Sequence, residues 1–266
     1  MFKSIGVCGT GNMGRAIVKG LVASGLIEAN NIYVYNIHAE KAEALAKETG
    51  VTVVDSAATL AEKSQGLIMA VKPHVMPTSL VEIKDHLMDQ AVVISIAAGL
   101  TMKQLASYLP TQTKIVRVMP NTPSMVGEGM ASVSVNDRVS ETETQDVLAI
   151  FNSFGKAELL DESLIDAVCG LSGSGPAYAY MFIEAMADGA VLEGMPRMMA
   201  YTFAAQTVLG AAKMVLETGE HPGKLKDDVC SPKGTTIEAV KVLEEKGFRA
   251  AVIEAVMASA EKNKNM

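Results

Sequence analysis

The chain has 266 residues, a formal net charge of −7 and a 49% share of hydrophobic residues. That length supports one large domain or two smaller ones with a buried core, and the acidic balance excludes partners held through clustered Lys and Arg, nucleic acid above all. Three cysteines, Cys8, Cys169 and Cys230, form no CxxC pair, which excludes a disulfide scaffold and suits a reducing cytoplasm. Four scattered histidines, His38, His74, His86 and His221, offer no metal-ligand spacing, so no metal is expected.

The first run, "SIGVCG", reads as a strand and moves directly into "VCGTGNMG" with no cleavable signal pattern before it. Gly9, Gly11 and Gly14 stand in G-x-G-x-x-G spacing, after a strand and at the start of a helix spanning residues 13–24. Such glycines permit a tight turn, close approach of a pyrophosphate and close helix packing, while helix N–H groups meet the phosphate charge. Gly9, Thr10, Gly11, Asn12, Met13 and Gly14 are therefore candidate cofactor ligands.

The second strand, "NIYVYN", ends at Asn36, where an acidic residue would bind the ribose 2′-OH of NAD. Asn carries no charge to repel a 2′-phosphate and can donate to it, with His38 and Lys41 close behind as cationic contacts. NADP(H) is favoured, with NAD(H) second. A helix over residues 39–49 follows, then strands in "VTVVD", "GLIMAVKP" and "AVVISIAAG", a helix over residues 102–108, and a strand in "KIVRVMPN". These runs are apolar on both faces, as in a parallel sheet covered by helices, and their alternation predicts an α/β doubly wound domain. "ASVSVN" and "AELLD" extend the sheet at one edge.

Ligands of an open α/β sheet collect at the carboxyl ends of its strands. Three such ends are distinctive: Ala70, Val71, Lys72 and Pro73 after the fourth strand, "SIAAG" with Ala97 after the fifth, and "MPNTP" after the sixth. Together they resemble the walls of a cleft.

From about Ser163 no strand-like run remains, which divides the chain into residues 1–162 and 163–266. "GLSGSGP" interrupts the longest charge-free stretch, residues 167–183, and argues for a buried helix pair with a sharp junction rather than a membrane span. Gly173, Gly175 and Pro176 break a helix there, with Ser172 or Ser174 to cap the next. Pro196 and Gly219 bracket a helix over residues 197–218 that is apolar on most of its circumference. A partner subunit is the expected cover. Finally, "TTIE" from Thr235 to Glu238 has the capping-box pattern, predicting a helix from near Thr236 with Ile237, Val240 and Leu243 on its buried side. The preceding "SPKG" adds backbone donors and a turn, so this helix start is also a candidate anion site.

In chain order, "GTGNMG", "AVKP", "SIAAG", "RVMPNTP", "LSGSGPAY" and "SPKGTT" resemble the pyrroline-5-carboxylate reductases of proline biosynthesis. The resemblance covers essentially the whole chain and implies a Rossmann domain followed by a helical dimerisation domain. It implies reduction of 1-pyrroline-5-carboxylate to proline with NAD(P)H, in a homodimer that in many members assembles to a decamer. It also implies that the Thr236 hydroxyl bonds the substrate nitrogen, while Ser231, Gly234 and Thr235 help hold its carboxylate. Two departures stand out. Lys233 replaces the usual Gly, which makes positive φ harder to adopt, and Ile37 stands where many relatives carry Arg. A β-hydroxyacid dehydrogenase would place a Lys within residues 170–183, where none occurs, and a non-catalytic NADP-binding regulator would need neither the strand-end loops nor "SPKGTT".

Overall fold

The computed structural model describes residues 1–265. Eight strands, β1 (Ile5–Cys8), β2 (Ile32–Tyr35), β3 (Thr52–Val53), β4 (Gly66–Met69), β5 (Val92–Ser95), β6 (Lys114–Met119), β7 (Gly129–Val135) and β8 (Gly155–Leu159), form one sheet in the order β3-β2-β1-β4-β5-β6-β7-β8. The first six are parallel, β7 runs antiparallel to β6, and β8 runs parallel to β7. The chain therefore winds outward from β1 to β3 and returns to β4, so the topological switch point lies between β1 and β4. All the strands expected from the β-branched runs are present.

Six helices cover this sheet: α1 (Asn12–Ser24), α2 (Ala39–Thr49), α3 (Ala57–Lys63), α4 (Met76–Ile83), α5 (Met102–Ala106) and α6 (Glu141–Asn152). Strand alternation divides the core into two layers. Ile5, Val7, Val34, Ile68, Ile94 and Val116 meet Ile17, Leu21 and Phe151 on one face. Leu67, Met69, Val93 and Ile115 meet Leu60, Met76 and Leu80 on the other. Ile17, Leu21 and Leu60 are fully buried, and each such side chain contributes about 1.5–3 kcal/mol of transfer free energy. Side chains also set the helix starts: Ser56 accepts from Thr59 N–H at 3.0 Å to cap α3, and Thr101 and Ser140 form reciprocal capping boxes with Gln104 and Glu143. α5 is shorter than expected, ending at Ala106.

After β8 the chain forms α7 (Ile165–Val168), a π-helical turn (Cys169–Gly173), α8 (Gly175–Leu192), α9 (Arg197–Thr218), α10 (Pro222–Asp228), α11 (Thr235–Glu245) and α12 (Phe248–Lys264). Two compact units result. One comprises Met1–Gly173 with the C-terminal segment from Ser259, and the other is Ser174–Ala258. The helix bracketed by Pro196 and Gly219 has the expected limits, and Gly219 closes it at φ 67°.

Two expectations for the helical part need correction. The interruption at "GLSGSGP" is a π turn followed by a fresh helix, and Ser174 occupies the N-cap position of α8 without a side-chain capping bond. Nor are the helices on either side of that junction buried, since Leu171, Tyr180 and Met181 are exposed. The buried centre of the α8–α9 pair is Ala187, Ala200 and Ala204, while Met181, Leu192, Met198 and Phe203 are exposed. No described helix is long and apolar enough to cross a membrane.

Candidate functional site

The carboxyl ends of β1, β2 and β4 meet at the switch point. The ladder continues one residue past each strand: Gly9 N–H donates to Tyr35 O at 2.8 Å and Ala70 N–H donates to Cys8 O at 2.8 Å. This fixes the G-x-G-x-x-G loop beside Ala70 and Val71. Gly9 adopts φ 100°, and a Cβ there would lie 2.6 Å from the Ala70 carbonyl oxygen. A Cβ on Gly14 would lie 2.0 Å from the Gly9 carbonyl oxygen. Both glycines are thus demanded by the turn itself. Gly11 differs: it is exposed, and a Cβ there would have no heavy atom within 4 Å.

Gly11 is the N-cap of α1, and no acidic residue occupies the first turn. Its amide groups and the positive end of a 13-residue helix therefore face open space beside a backbone that allows close approach. Asn12 is exposed at this end, while Met13 packs against the core. Arg15 and Lys19, further along α1, both pair with Glu48, whose carboxyl is lowered first by the Lys19 hydrogen bond.

Asn36 is placed by two local bonds. Its side-chain N–H donates to Thr10 Oγ1 at 2.6 Å, and its Oδ1 accepts from His38 N–H at 3.0 Å. One amide N–H of Asn36 remains for a ligand. Ile37, His38 and Lys41 around it are exposed. Lys72 is exposed too, and its carbonyl accepts from Val75 and Met76 N–H groups to start the turn into α4.

The β5 end is built differently. Ser95 is buried and its Oγ accepts from Ala97 N–H at 3.3 Å, which holds Ala97 against the core. Asn121, in the β6 end loop, is a structural anchor rather than an open wall. Its Oδ1 accepts from Met130 N–H at 2.8 Å and its Nδ2 donates to Ser172 O at 3.0 Å. Pro176, four residues on, has no N–H to offer that carbonyl as an α-helical partner. Burial, reinforced by Glu82, pushes the Cys8 thiol up to about 12. Burial and Asp166 also raise Cys169, against the opposing influence of Arg117. Neither offers a thiolate nucleophile near neutral pH.

In the helical unit, Ser231–Gly234 form a turn closed by Gly234 N–H donating to Ser231 O at 2.9 Å. Pro232 takes its second position and Lys233 its third, at φ 61°. Positive φ at the third position marks a type II turn, which usually recruits Gly or Asn. The loop therefore does adopt the conformation that Lys233 disfavours. A Cβ on Gly234 would lie 2.4 Å from Ser231 Oγ, which would have to rotate away, and 3.0 Å from the Ser231 carbonyl oxygen.

This turn also corrects the capping box. Gly234, extended at φ −76° and ψ 167°, is the N-cap of α11, so Thr235 is already helical and no side chain caps the start. Ile237 and Leu243 are exposed at 37% and 43%, contrary to the expected buried stripe. The two threonine hydroxyls of "SPKGTT" have no role in holding the cap. Thr235 is exposed and Thr236 half-buried, at the N-terminus of an 11-residue helix. The structure thus groups the cofactor candidates around β1, β2, β4 and β5, and the substrate candidates in the turn before α11.

Two family models match the chain in succession. The family model for pyrroline-5-carboxylate reductase dimerisation matches residues 162–266, and that for NADP oxidoreductase, coenzyme F420-dependent, matches residues 4–99. The chain is 55% identical to the pyrroline-5-carboxylate reductase of Escherichia coli strain K12, over 100% of this chain and 99% of that one. It superimposes with a TM-score of 0.94 on a pyrroline-5-carboxylate reductase from Coxiella burnetii at 35% identity, covering 99% of this chain and 98% of that one. A Plasmodium falciparum pyrroline carboxylate reductase solved with NADP bound matches with a TM-score of 0.87 at 34% identity, covering 98% and 97%.

Proposed function

The chain belongs to the pyrroline-5-carboxylate reductase family, and from that premise we propose that it reduces 1-pyrroline-5-carboxylate to L-proline with NADPH, NADH serving as the second donor. The observation that carries this reading is the open N-terminus of α1 at Gly11, beside two glycines whose missing side chains the turn requires. A dinucleotide diphosphate fits that position by charge and by space. Gly9 to Gly14 would hold the diphosphate, Asn36 the 2′-phosphate, Ala70 to Pro73 the flank, and Ala97 the nicotinamide end. Bound there, NADPH supplies the hydride.

The chain's own part in the reaction is orientation and charge. Ser231, Gly234 and Thr235 offer hydroxyls and backbone N–H groups for the substrate carboxylate at the positive end of α11. The Thr236 hydroxyl hydrogen-bonds the imine nitrogen and orients it, the substrate arriving already protonated. Residues 1–162 bind the cofactor, and residues 163–266 bind substrate and self-associate. The exposed apolar side chains of α8 and α9 suit a homodimer interface in the cytoplasm, and the dimer assembles further to a decamer. Addition of fresh 1-pyrroline-5-carboxylate should oxidise NADPH and yield proline. Cofactor binding without turnover would overturn this reading in favour of a non-catalytic NADP-binding protein.

A further inference from the structure

Glu162 makes two bonds that none of the roles above uses. Its Oε1 accepts from Met102 N–H at 2.7 Å and from Arg117 Nη1 at 2.9 Å. Met102 is the first residue of α5, and Arg117 lies within β6 with only 5% of its surface exposed. One carboxylate thus ties a helix start and a strand interior to a segment 60 and 45 residues away. Glu162 is itself fixed, because Asp161 caps its 3₁₀ turn by accepting from Ser163 N–H at 2.9 Å.

The segment it fastens is the β5–α5 loop. At its start the loop is held by Ile96 N–H donating to Met69 O at 3.3 Å and by Ala97 N–H donating to Ser95 Oγ. Gly99, at φ 75°, turns the chain, and at the far end Thr101 and Gln104 already complete the local capping box. The bond to Glu162 is therefore more than α5 needs to form; it sets where the loop's far end sits. Beneath the loop lies a cavity of about 1080 Å³, lined by Gly99, Thr101, Arg117, Glu162, Asp166 and Asn263 among others. Open space lines that side, while Leu100 and Met102 pack against the core on the other, so the bond to Glu162 is the polar tie on the cavity side of the loop end.

We infer that Glu162, backed by Arg117, is a positioning residue that locks the loop carrying Ala97 into the geometry needed for hydride transfer. This inference rests on the proposal that Ala97 lines the nicotinamide end. Arg117 aims the carboxylate through its 2.9 Å hydrogen bond, and a buried guanidinium without its partner is strongly disfavoured, which keeps the pair together.

The test is Glu162→Ala against Glu162→Gln, whose amide oxygen can still accept from Met102 and Arg117. Hydrogen–deuterium exchange of the protein without cofactor should show faster exchange at residues 96–102 in Glu162→Ala, with α1 unchanged. Its kcat should fall roughly tenfold, in keeping with a small misplacement at a reacting centre. A larger primary isotope effect from deuterated NADPH should accompany this, with the NADP⁺ dissociation constant nearly unchanged, and Glu162→Gln should restore most of kcat. If Glu162→Ala fails to fold, Arg117→Met with Glu162→Ala removes the orphaned charge and is read in the same way. Wild-type exchange at residues 96–102, or wild-type kcat and isotope effect in a variant that merely melts earlier, would overturn the inference. If the wild-type protein bound NADPH without turning over substrate, the proposed reaction would fall instead, and the exchange result would still decide whether Glu162 holds the loop.

Discussion

The side-chain amide of Asn36 donates a 2.6 Å hydrogen bond to the hydroxyl of Thr10, joining the end of β2 to the glycine loop. One lone pair of its oxygen accepts from His38 N–H, and its second amide N–H is left to donate to a bound nucleotide. A donor suits a phosphate and is a poor match for a ribose hydroxyl that must itself donate. Asn36→Asp should therefore reverse cofactor preference. The kcat/KM with NADPH should drop roughly tenfold to a hundredfold, the worth of a hydrogen bond to a charged group, while that with NADH holds or rises. Steady-state kinetics with both cofactors checks this, and an equal loss with each would contradict it.

Gly11 and Gly14 look alike in the motif but should fail in different ways. Gly14→Ala would press a methyl group to within 2.0 Å of the Gly9 carbonyl oxygen and should destabilise the domain. Gly11→Ala meets no heavy atom within 4 Å and should fold normally. Its methyl group would occupy the approach to the α1 amides, so NADPH binding should weaken at unchanged thermal stability. Calorimetric melting and cofactor titration of the two variants separate these outcomes.

Thr236→Ala should lower kcat by roughly a hundredfold, a typical contribution for one orienting or proton-handling group. Because Gly234, not a threonine side chain, caps α11, thermal stability and NADPH binding should both survive. Thr236→Ser should retain most activity. Wild-type turnover in the alanine variant would remove Thr236 from the mechanism.

Lys233 at φ 61° carries backbone strain that Gly would relieve. Lys233→Gly should raise stability by up to about 1 kcal/mol, the usual scale for a non-glycine residue in this region less the extra chain entropy of Gly. Lys233→Ala keeps the strain and should not. Urea unfolding of both variants distinguishes relief of strain from loss of charge.

Glu143 gives the acid side of the stability profile a defined contributor. Burial pushes its carboxyl upward, but hydrogen bonds from Lys114 and from the Ser140 cap outweigh that and leave it below its usual value. A lowered folded-state value means the stabilisation is complete above the unfolded carboxyl range, about pH 4.3, and is lost as pH falls through the folded value. Wild type should therefore exceed Glu143→Gln in stability near neutral pH, and the gap should close below about pH 4. Denaturant unfolding across that range measures it.

The central strands β1, β4, β5 and β6 were legible because they are short apolar runs buried on both faces by helices. The α9 helix was legible to the residue because Pro196 and Gly219 act locally. The start of α11 was misread for an equally local reason. Thr235 and Glu238 have capping-box spacing, but the Ser231–Gly234 turn hands the N-cap to Gly234 before Thr235 is reached. The Glu162 link to Met102 and Arg117 spans long sequence separations, and no spacing rule connects such residues. The roles of Asn121 and the π turn were hidden likewise, since an asparagine that looks free in a loop is committed to Met130 and Ser172 only once the chain has folded.

That commitment makes the need for Asn121 depend on Pro176 although the two never bond. Pro176 leaves the Ser172 carbonyl without a helical donor, and Asn121 supplies one from another strand end. An amide lost at position 121 is harmful because residue 176 is an imino acid and cannot give that carbonyl an N–H in its place. The constraint runs one way: a lineage can lose the amide at 121 without idling that carbonyl only after residue 176 has regained an N–H, so change at 121 should follow change at 176.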